Sequence, residues 1–189
     1  MIIGFTGKRG CGKDTAAERL VSSHGFFALD FTRDVLSPIL RERKMAITRE
    51  NLIELAMEGR RKSGSGVWAE KLCSVIHGMK RADFTISGVR FPEEAAVFRK
   101  QFGKDFSLVS IACGDSLRYE RCVKRGTKGE GGLTFQEFMK IEDRPTERAV
   151  VDTMSLSDYA LDNGGTRAEF FARIDDLITL IKQPFSARA

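Results

Sequence analysis

The strongest structural signal in the chain is the segment Gly7-Lys8-Arg9-Gly10-Cys11-Gly12-Lys13-Asp14-Thr15. A short apolar run, Ile2 to Thr6, precedes it, and apolar residues at helical spacing follow it up to Gly25. Its spacing fits the pattern Gly-x4-Gly-Lys, in which the glycines let backbone N–H groups curl around a phosphate. A strand, a glycine-rich turn and a helix in this order predict a phosphate-binding loop, with the partial positive charge of the helix N-terminus behind it.

The side chains at the end of this loop have predicted roles in holding a nucleoside triphosphate. Lys13 would reach the β- and γ-phosphates, and Thr15 would bind a phosphate oxygen. Asp14 stands where the pattern has Ser or Thr, whose hydroxyl ordinarily binds Mg²⁺. Because a carboxylate is a harder oxygen ligand, Asp14 would hold Mg²⁺ directly or through water; the alternative is that it only caps the helix. For the segment as a whole, the alternative is a glycine-rich turn without a ligand.

Short apolar segments alternate with helical segments along the rest of the chain. The predicted strands are Ile2 to Thr6, Phe26 to Asp30, Phe84 to Ser87, Phe106 to Ala112 and Tyr159 to Leu161. Thr134 and Thr166, each followed three residues later by Glu, predict capping boxes at two helix starts, and Asp115 is expected to cap a third helix. The alternation predicts a three-layer α/β/α fold, in which helices cover both faces of a central parallel sheet of about five strands. Ligands of such sheets bind beyond the carboxyl ends of the strands.

The composition excludes several classes of protein. With 189 residues, 42% of them hydrophobic and 30% charged, the chain suits one folded domain and not a disordered or fibrous protein. The run Met1-Ile2-Ile3 is too short for a signal peptide or a membrane span, which predicts a cytoplasmic protein without a membrane partner. A net charge of +5 without a basic and aromatic stripe suits an anionic small ligand better than a nucleic acid. Four cysteines without a Cys-x-x-Cys pair predict reduced thiols.

Three segments resemble those of P-loop kinases of the nucleoside-monophosphate-kinase-like family. The form Gly-x-x-Gly-x-Gly-Lys-Asp-Thr at 7–15 resembles the phosphate loop of phage and bacterial deoxynucleoside monophosphate kinases. The segment from Thr85 to Glu94 is similar to the aspartate-valine-arginine-phenylalanine-proline segment of the same group. Residues 157–166 look like the A-D-Y-x-I-x-N-x-G-T signature of dephospho-CoA kinases and their archaeal relatives.

This resemblance implies that ATP lies on the phosphate loop, with Asn163 and Gly164 lining the adenine site. It also implies one kinase domain over residues 1–189, with an acceptor-binding helical insertion at about 33–80 and a lid at about 116–148. In such kinases the protein contributes mainly positioning and charge neutralisation.

Arginines of the predicted lid would neutralise the transferring phosphoryl group. Arg118, Arg121 and Arg125 stand at i, i+3 and i+7, so at ~100° per residue they fall within roughly 60° of one helix face. Arg121 and Arg125 are predicted as catalytic residues, and Arg118 and Arg144 as substrate-binding residues. The alternative for each of them alone is a solvated helix face.

Three residues are candidates for the acceptor side. Arg90 follows a predicted strand end, which favours contact with an acceptor phosphate over an ion pair with a neighbouring glutamate. Asp30 resembles the acid that faces the acceptor hydroxyl in dephospho-CoA kinases, where it would take a proton or position the acceptor; the alternative is a cap for a helix from Thr32. Arg33 is a further candidate for contact with the acceptor.

The third predicted strand departs from the family pattern. Related kinases carry an acid that helps to hold Mg²⁺ where this chain has Ser87 or Gly88. Because Asp14 and Ser87 are both unusual, we predict an exchange in which Asp14 supplies the charge and Ser87 a hydroxyl to the same ion. The alternative is weak or absent catalysis.

Together these patterns predict a phosphotransferase that uses ATP and Mg²⁺ and acts on a small nucleotide acceptor, a nucleoside or deoxynucleoside monophosphate first. Phosphorylation of a hydroxyl group, as in dephospho-CoA kinases, and ATP binding without phosphate transfer are the alternatives. Nothing in the sequence predicts the oligomeric state.

Overall fold

The computed structural model describes residues 1–81, 83–126 and 131–183. The strands are β1 (Ile2–Thr6), β2 (Phe27–Asp30), β3 (Phe84–Ser87), β4 (Phe106–Ala112) and β5 (Tyr159–Asp162). They form one sheet in the order β2-β3-β1-β4-β5, and every neighbouring pair is parallel.

Helices connect and cover these strands. Within the described ranges the α-helices are α1 (Lys13–His24), α2 (Ser37–Glu42), α3 (Arg49–Ser63), α4 (Val67–Gly78), α5 (Pro92–Phe102), α6 (Asp115–Arg125), α7 (Phe135–Glu142), α8 (Pro145–Ser155) and α9 (Arg167–Lys182). A π-helical turn, Thr32–Leu36, follows β2, and a 3₁₀ turn, Gly103–Asp105, precedes β4. None of the helices in this part of the chain combines the length and the hydropathy needed to cross a bilayer.

Alternate residues of the central strands belong to cores on opposite faces of the sheet. Ile2 and Leu108 belong to the core that contains residues of α4 and α5. Ile3 and Val109 belong to the core that contains residues of α1 and α9. Burial on both faces explains why these strands are nearly continuous apolar runs in the sequence. The predicted three-layer α/β/α fold is confirmed.

Local signals in the sequence located the elements closely. The five predicted strands are confirmed, although β2 begins and β5 ends one residue later than predicted. The capping boxes at Thr134 and Thr166 are also confirmed. The prediction that Asp115 caps α6 is wrong, because Gly114 is the N-cap residue and the Asp115 carboxylate instead accepts a hydrogen bond from Arg118.

The parallel order brings three strand ends to the same edge of the sheet. The register pairs Phe5 of β1 with Ser87 of β3, and Ser87 in turn with Asp30 of β2. The loop between β1 and α1 therefore leaves the sheet next to the residues that end β2 and β3, at the edge where ligands of such sheets bind.

Two groups of helices overlap the predicted insertion and lid. Helices α2 to α4 lie between β2 and β3, and α6 to α8 lie between β4 and β5. Part of the predicted lid, residues 127–130, lies outside the described residues. The division into an acceptor-binding insertion and a lid stays a prediction.

Candidate functional site

The loop between β1 and α1 has a backbone conformation that requires glycine. Gly10 and Gly12 have φ angles of 78° and 103°, in the left-handed region. A Cβ at Gly12 would lie 2.3 Å from Asn163 Nδ2, and a Cβ at Gly10 would lie 2.6 Å from the carbonyl oxygen of Arg118. The two glycines therefore allow the turn itself, and they also allow α6 and the end of β5 to approach the loop closely.

Lys13, the first residue of α1, folds back over the loop. Its ammonium group donates to the carbonyl oxygens of Gly7 at 2.6 Å and Lys8 at 3.0 Å. Burial lowers the pKa of Lys13, although the nearby Cys11 and Asp14 act in the opposite direction. An ammonium group held in this way can exchange loop carbonyls for phosphate oxygens without leaving the loop.

Asp14 and Ser87 meet where β3 ends. The Ser87 hydroxyl donates to Asp14 Oδ1. Asp14 lies in the first turn of α1, where the helix dipole favours a negative charge. No group of three or more His, Cys, Asp or Glu side chains that could hold a metal occurs among the described residues. The Asp14 carboxylate and the Ser87 hydroxyl together offer two oxygen ligands. So few protein ligands suit Mg²⁺, because this ion usually keeps several waters and binds phosphate oxygens.

Asn163 ties the end of β5 to the phosphate loop. Its side chain is buried, and its Nδ2 donates to the carbonyl oxygen of Cys11 at 2.8 Å. Arg121 of α6 donates to the main-chain oxygen of Asn163 at 3.1 Å. Asn163 thus positions both the loop and an arginine of the predicted lid.

A cleft of about 920 Å³ contains most of the predicted site residues. The predicted residues that line it are Gly10, Gly12, Lys13, Asp14, Thr15, Asp30, Ser87, Arg90, Arg121, Arg125 and Asn163. They come from the phosphate loop, the ends of β2, β3 and β5, and helices α1 and α6. The fold therefore assembles in one place side chains that are more than 100 residues apart in sequence.

Asp30 and Arg90 line the cleft with defined partners. Asp30 Oδ1 accepts the backbone N–H of Arg33 at 2.9 Å, within the π-helical turn whose N-cap residue is Phe31. The Arg90 guanidinium donates at 3.0 Å to Glu147 of α8, which is not a sequence neighbour. Contact of Asp30 and Arg90 with an acceptor stays a prediction.

Other predicted residues do not line the cleft: Gly7, Cys11, Arg33, Arg118, Arg144 and Gly164. Arg33 is exposed and donates to the adjacent Asp34. Arg144 is an exposed residue that precedes α8 as its N-cap. Gly164 is exposed and its N–H donates to Asp162. Contacts between these residues and a ligand stay predictions.

Arg118 lies in a buried ion network that the sequence did not predict. Its guanidinium lies 3.0 Å from Glu142 Oε2 and donates to the carbonyl oxygen of Arg9 at 2.9 Å. Glu142 also lies 3.5 Å from the ammonium group of Lys8. Burial lowers the pKa of Arg118, but the bonds to Glu142 and Asp115 outweigh it and keep this pKa above its ordinary value. The network connects α6 and α7 to the phosphate loop.

A second buried acid, Glu147, holds two cations near the cleft. Glu147 Oε1 lies 3.0 Å from Arg90 and 3.9 Å from Arg9. Glu142 and Glu147 gave no sequence signal beyond their charge, because burial depends on what packs around them.

Further charged residues that line the cleft are Arg9, Glu18, Arg60, Glu94, Lys124 and Arg167.

Comparison with known proteins identifies the family. The sequence model of the AAA domain family matches residues 3–145. A UPF0200 protein of Sulfurisphaera tokodaii is 33% identical over 182 residues, which cover 95% of this chain and 97% of that protein. This chain is a member of the UPF0200 family. A UPF0200/UPF0201 protein of Archaeoglobus fulgidus is 27% identical over 179 residues, and our UPF0200 chain spans about half, 54%, of its length.

Solved structures show which fold this UPF0200 protein shares. Shikimate kinase from Bacteroides thetaiotaomicron has a TM-score of 0.61 at 14% identity, covering 97% of this chain and 99% of that chain. Dephospho-CoA kinase from Campylobacter jejuni has a TM-score of 0.56 at 14% identity, covering 95% of this chain and 96% of that chain. At such identities the likeness establishes the fold alone. The predicted P-loop kinase fold is confirmed.

Proposed function

We propose that this UPF0200 protein is an ATP-dependent phosphotransferase that moves the γ-phosphoryl group to a small nucleotide acceptor, a nucleoside or deoxynucleoside monophosphate first. The proposal is carried by one observation, the composition of the cleft. The phosphate loop with Lys13 shares that cleft with Arg121 and Arg125 of α6, and with Asp30 and Arg90. A phosphate-binding loop, arginines for charge neutralisation and acceptor-side polar groups are the parts that phosphoryl transfer requires.

The residues of the loop fit the triphosphate of ATP. Helix α1 begins at Lys13, so the N–H groups of its first turn lack intrahelical acceptors and are available to phosphate oxygens. Lys13 adds a cation already held at the loop carbonyls. Lys124 and Arg125, at the end of α6, add positive charge to the same cleft.

Asp14 and Ser87 fit Mg²⁺ as the accompanying ion. They are adjacent oxygen donors in the cleft, one of them anionic. When bound, the ion would neutralise charge on the phosphate oxygens. This pairing supports the predicted exchange, in which the acid on the loop replaces the acid that related kinases carry at the end of the third strand.

The remaining side chains would position the reactants. Arg121 and Arg125 would neutralise the oxygens of the transferring group, where charge is spread in the transition state. For a monophosphate acceptor, Arg90 would bind the acceptor phosphate, and Glu147 would orient its guanidinium. For a hydroxyl acceptor, Asp30 would accept the hydroxyl proton as the new bond to phosphorus forms. Because Asp30 lines the cleft, hydroxyl phosphorylation is the second candidate.

An acceptor screen tests the proposal. ADP formation from ATP and Mg²⁺ is measured with each common nucleoside and deoxynucleoside monophosphate and with dephospho-CoA. We expect turnover with at least one monophosphate. Turnover with dephospho-CoA alone would favour the hydroxyl acceptor. Tight ATP binding without turnover of any acceptor would contradict the transferase and favour a nucleotide-binding protein.

Lys13→Ala tests the phosphate loop. Because it removes the cation held at the loop, we expect ATP turnover to fall by about 100-fold or more. Lys104→Ala is the matched control, since Lys104 is exposed in the 3₁₀ turn at the opposite, amino end of β4. Unchanged ATP binding and turnover in Lys13→Ala would contradict the assignment of the loop.

Asp14→Ser tests the exchange of metal ligands. If Asp14 supplies the charge, this variant needs more Mg²⁺ for half-maximal turnover and has a lower maximum. Asp105→Ser, an acid removed from the amino end of β4, is the control. Activity of Asp14→Ser at or above that of the wild type would eliminate the exchange.

A further inference from the structure

Two arginines that line the cleft share one buried carboxylate. Oε1 of Glu147 lies 3.0 Å from Arg90 Nη1 and 3.9 Å from Arg9 Nη2. Arg9 belongs to the phosphate loop and Arg90 follows β3, yet their guanidinium groups are neighbours because both lie against the same oxygen atom. Both arginines line the cleft, whereas Glu147 is only 4% exposed. The acid therefore lies behind two cations that a ligand can reach.

Buried side chains also fix the backbone of Arg90. Glu94 accepts the backbone N–H of Arg90 at 2.8 Å, and the hydroxyl of Thr153 donates to its carbonyl oxygen at 2.9 Å. Both of these side chains are buried. Thr153 and Glu147 belong to α8, so this helix holds Arg90 at its backbone and at its guanidinium. An arginine supported in this way is pre-organised, which is what a binding residue requires.

The shared carboxylate leaves a surplus of positive charge beside the phosphate loop. Two guanidinium groups carry two charges at any pH near neutrality, and Glu147 offsets one of them. Lys13 is a third cation close by: burial is the main cause that lowers the pKa of Lys13, and the charge of Arg90 lowers it further. Because guanidinium groups bind phosphate oxygens through paired N–H bonds, a phosphate group is the anion that fits here.

The order of the strands separates Arg90 from the arginines of α6. In the sheet order β2-β3-β1-β4-β5, the strand before Arg90 lies on one side of β1. The strands before Arg121 and Asn163 lie on the other side. An ATP molecule on the loop with its adenine toward Asn163 therefore leaves Arg9 and Arg90 for a second anion.

We propose that Arg9 and Arg90, held together by Glu147, bind the phosphate group of the acceptor and make the enzyme selective for acceptors that carry one. This inference rests on the proposed phosphotransferase function and adds to it an acceptor ligand from the phosphate loop itself, Arg9. Arg9 and Arg90 are catalytic residues because they touch the phosphate that reacts. Glu147 is a positioning residue, since it acts through both guanidinium groups.

The transfer step needs no base when the acceptor is a phosphate monoester. Such a group is largely ionised at neutral pH, because its second pKa is about 6. One of its oxygens forms the new bond to the γ-phosphorus of ATP, and the bond from that phosphorus to the bridging oxygen breaks. The bridging oxygen leaves with the electron pair as part of ADP, and the product is a phosphoanhydride. Arg9 and Arg90 offset the repulsion between the two anionic reactants.

A kinetic comparison tests the selectivity, with a nucleoside monophosphate from the acceptor screen and the corresponding nucleoside. We expect kcat/KM to be at least about 100-fold higher for the monophosphate. Glu147→Gln should raise the KM for the monophosphate about tenfold or more while the KM for ATP stays within about threefold. Glu147→Asp, which keeps the charge, should restore part of this loss. Glu58→Gln is the matched control, because Glu58 is also paired with two cations but does not line the cleft.

A binding measurement tests the anion site without turnover. Inorganic phosphate is titrated by calorimetry into the protein saturated with Mg²⁺ and a non-hydrolysable ATP analogue, so that the phosphate loop is already filled. We expect one phosphate to bind, and Arg9→Met and Arg90→Met each to weaken its binding about tenfold or more. Circular dichroism during heating verifies that each variant is folded.

The two measurements distinguish failure of this proposal from failure of the proposed function. No binding of the ATP analogue, or no ADP formation with any acceptor, would contradict the proposed function and this proposal with it. An analogue that binds, together with phosphate binding that is absent or unchanged in Arg9→Met, would overturn this proposal alone. Equal kcat/KM for the nucleoside and its monophosphate, or a Glu147→Gln protein whose two KM values rise equally, would also overturn it.

Discussion

Replacing Arg118 by methionine is expected to destabilise the fold and not merely to weaken substrate binding. Methionine keeps much of the aliphatic volume but removes the guanidinium, in a side chain that is 1% exposed. Glu142 would stay buried, with Lys8 at 3.5 Å as its remaining cation among the residues that the structure describes. The carbonyl oxygen of Arg9 would lose the hydrogen bond that Arg118 now donates at 2.9 Å.

The size of the effect follows from this burial. Removing one partner of a buried ion pair costs about 3–5 kcal/mol, because the other charge is left without compensation. The side chain of Glu142 is 5% exposed, so water screens it little, but Lys8 compensates part of its charge. We therefore expect the lower end of the range, a loss of about 3 kcal/mol in the free energy of unfolding.

Urea unfolding measures this loss through the fluorescence of Trp68, which is buried and is the one tryptophan of the sequence. Asp115→Asn is the matched control: Asp115 contacts the same guanidinium, but its side chain is 46% exposed, so its loss should cost at most about 1 kcal/mol. An Arg118→Met protein within about 1 kcal/mol of the wild type would refute the reasoning from burial. A raised KM at unchanged stability would return Arg118 to its predicted role in substrate binding.

Gly12→Ala adds a Cβ only 2.3 Å from a side-chain nitrogen at a φ of 103°, so stability should fall by about 2–3 kcal/mol and ATP binding, measured by calorimetry, should weaken. Gly25→Ala, which also has a positive φ but has no atom of the described residues within 4 Å of the added Cβ, should cost less; equal losses would contradict the steric argument. The hydrogen bond from Arg19 lowers the pKa of Asp175 in the folded protein. Ionised Asp175 therefore stabilises the fold at a pH above its unfolded-state pKa, and this stabilisation is lost as the pH falls through its folded-state pKa. In Asp175→Asn the urea midpoint of unfolding should therefore decrease less steeply below about pH 4 than it does in the wild type. A decrease as steep as in the wild type would contradict this role of Asp175. Burial raises the pKa of the Cys73 thiol to about 11, so this thiol should react with a disulfide reagent at about pH 8 only after unfolding. Rapid labelling of Cys73 itself in the native protein would disprove this.

The phosphate loop and the order of the elements could be predicted because their signals are local. Gly10 and Gly12 stand between an apolar run and an amphipathic helix, and each part of that pattern constrains the backbone within a few residues. The capping boxes at Thr134 and Thr166 are equally local. Two unusual residues, Asp14 and Ser87, led to the expectation of a shared role, and they are in contact. Their binding of a metal stays a prediction.

Two arginines show what such local signals cannot predict. Arg118 and Arg121 share one face of α6 and were equivalent by spacing, yet Arg118 is buried and Arg121 lines the cleft. The difference arises because Glu142 of α7 meets one guanidinium, while Asn163 after β5 meets the other. The sequence by itself determined the loop, the strands and the caps, since each depends on neighbours along the chain. Only the tertiary structure decided which charges are buried and which line the cleft, because burial depends on residues brought together from distant elements.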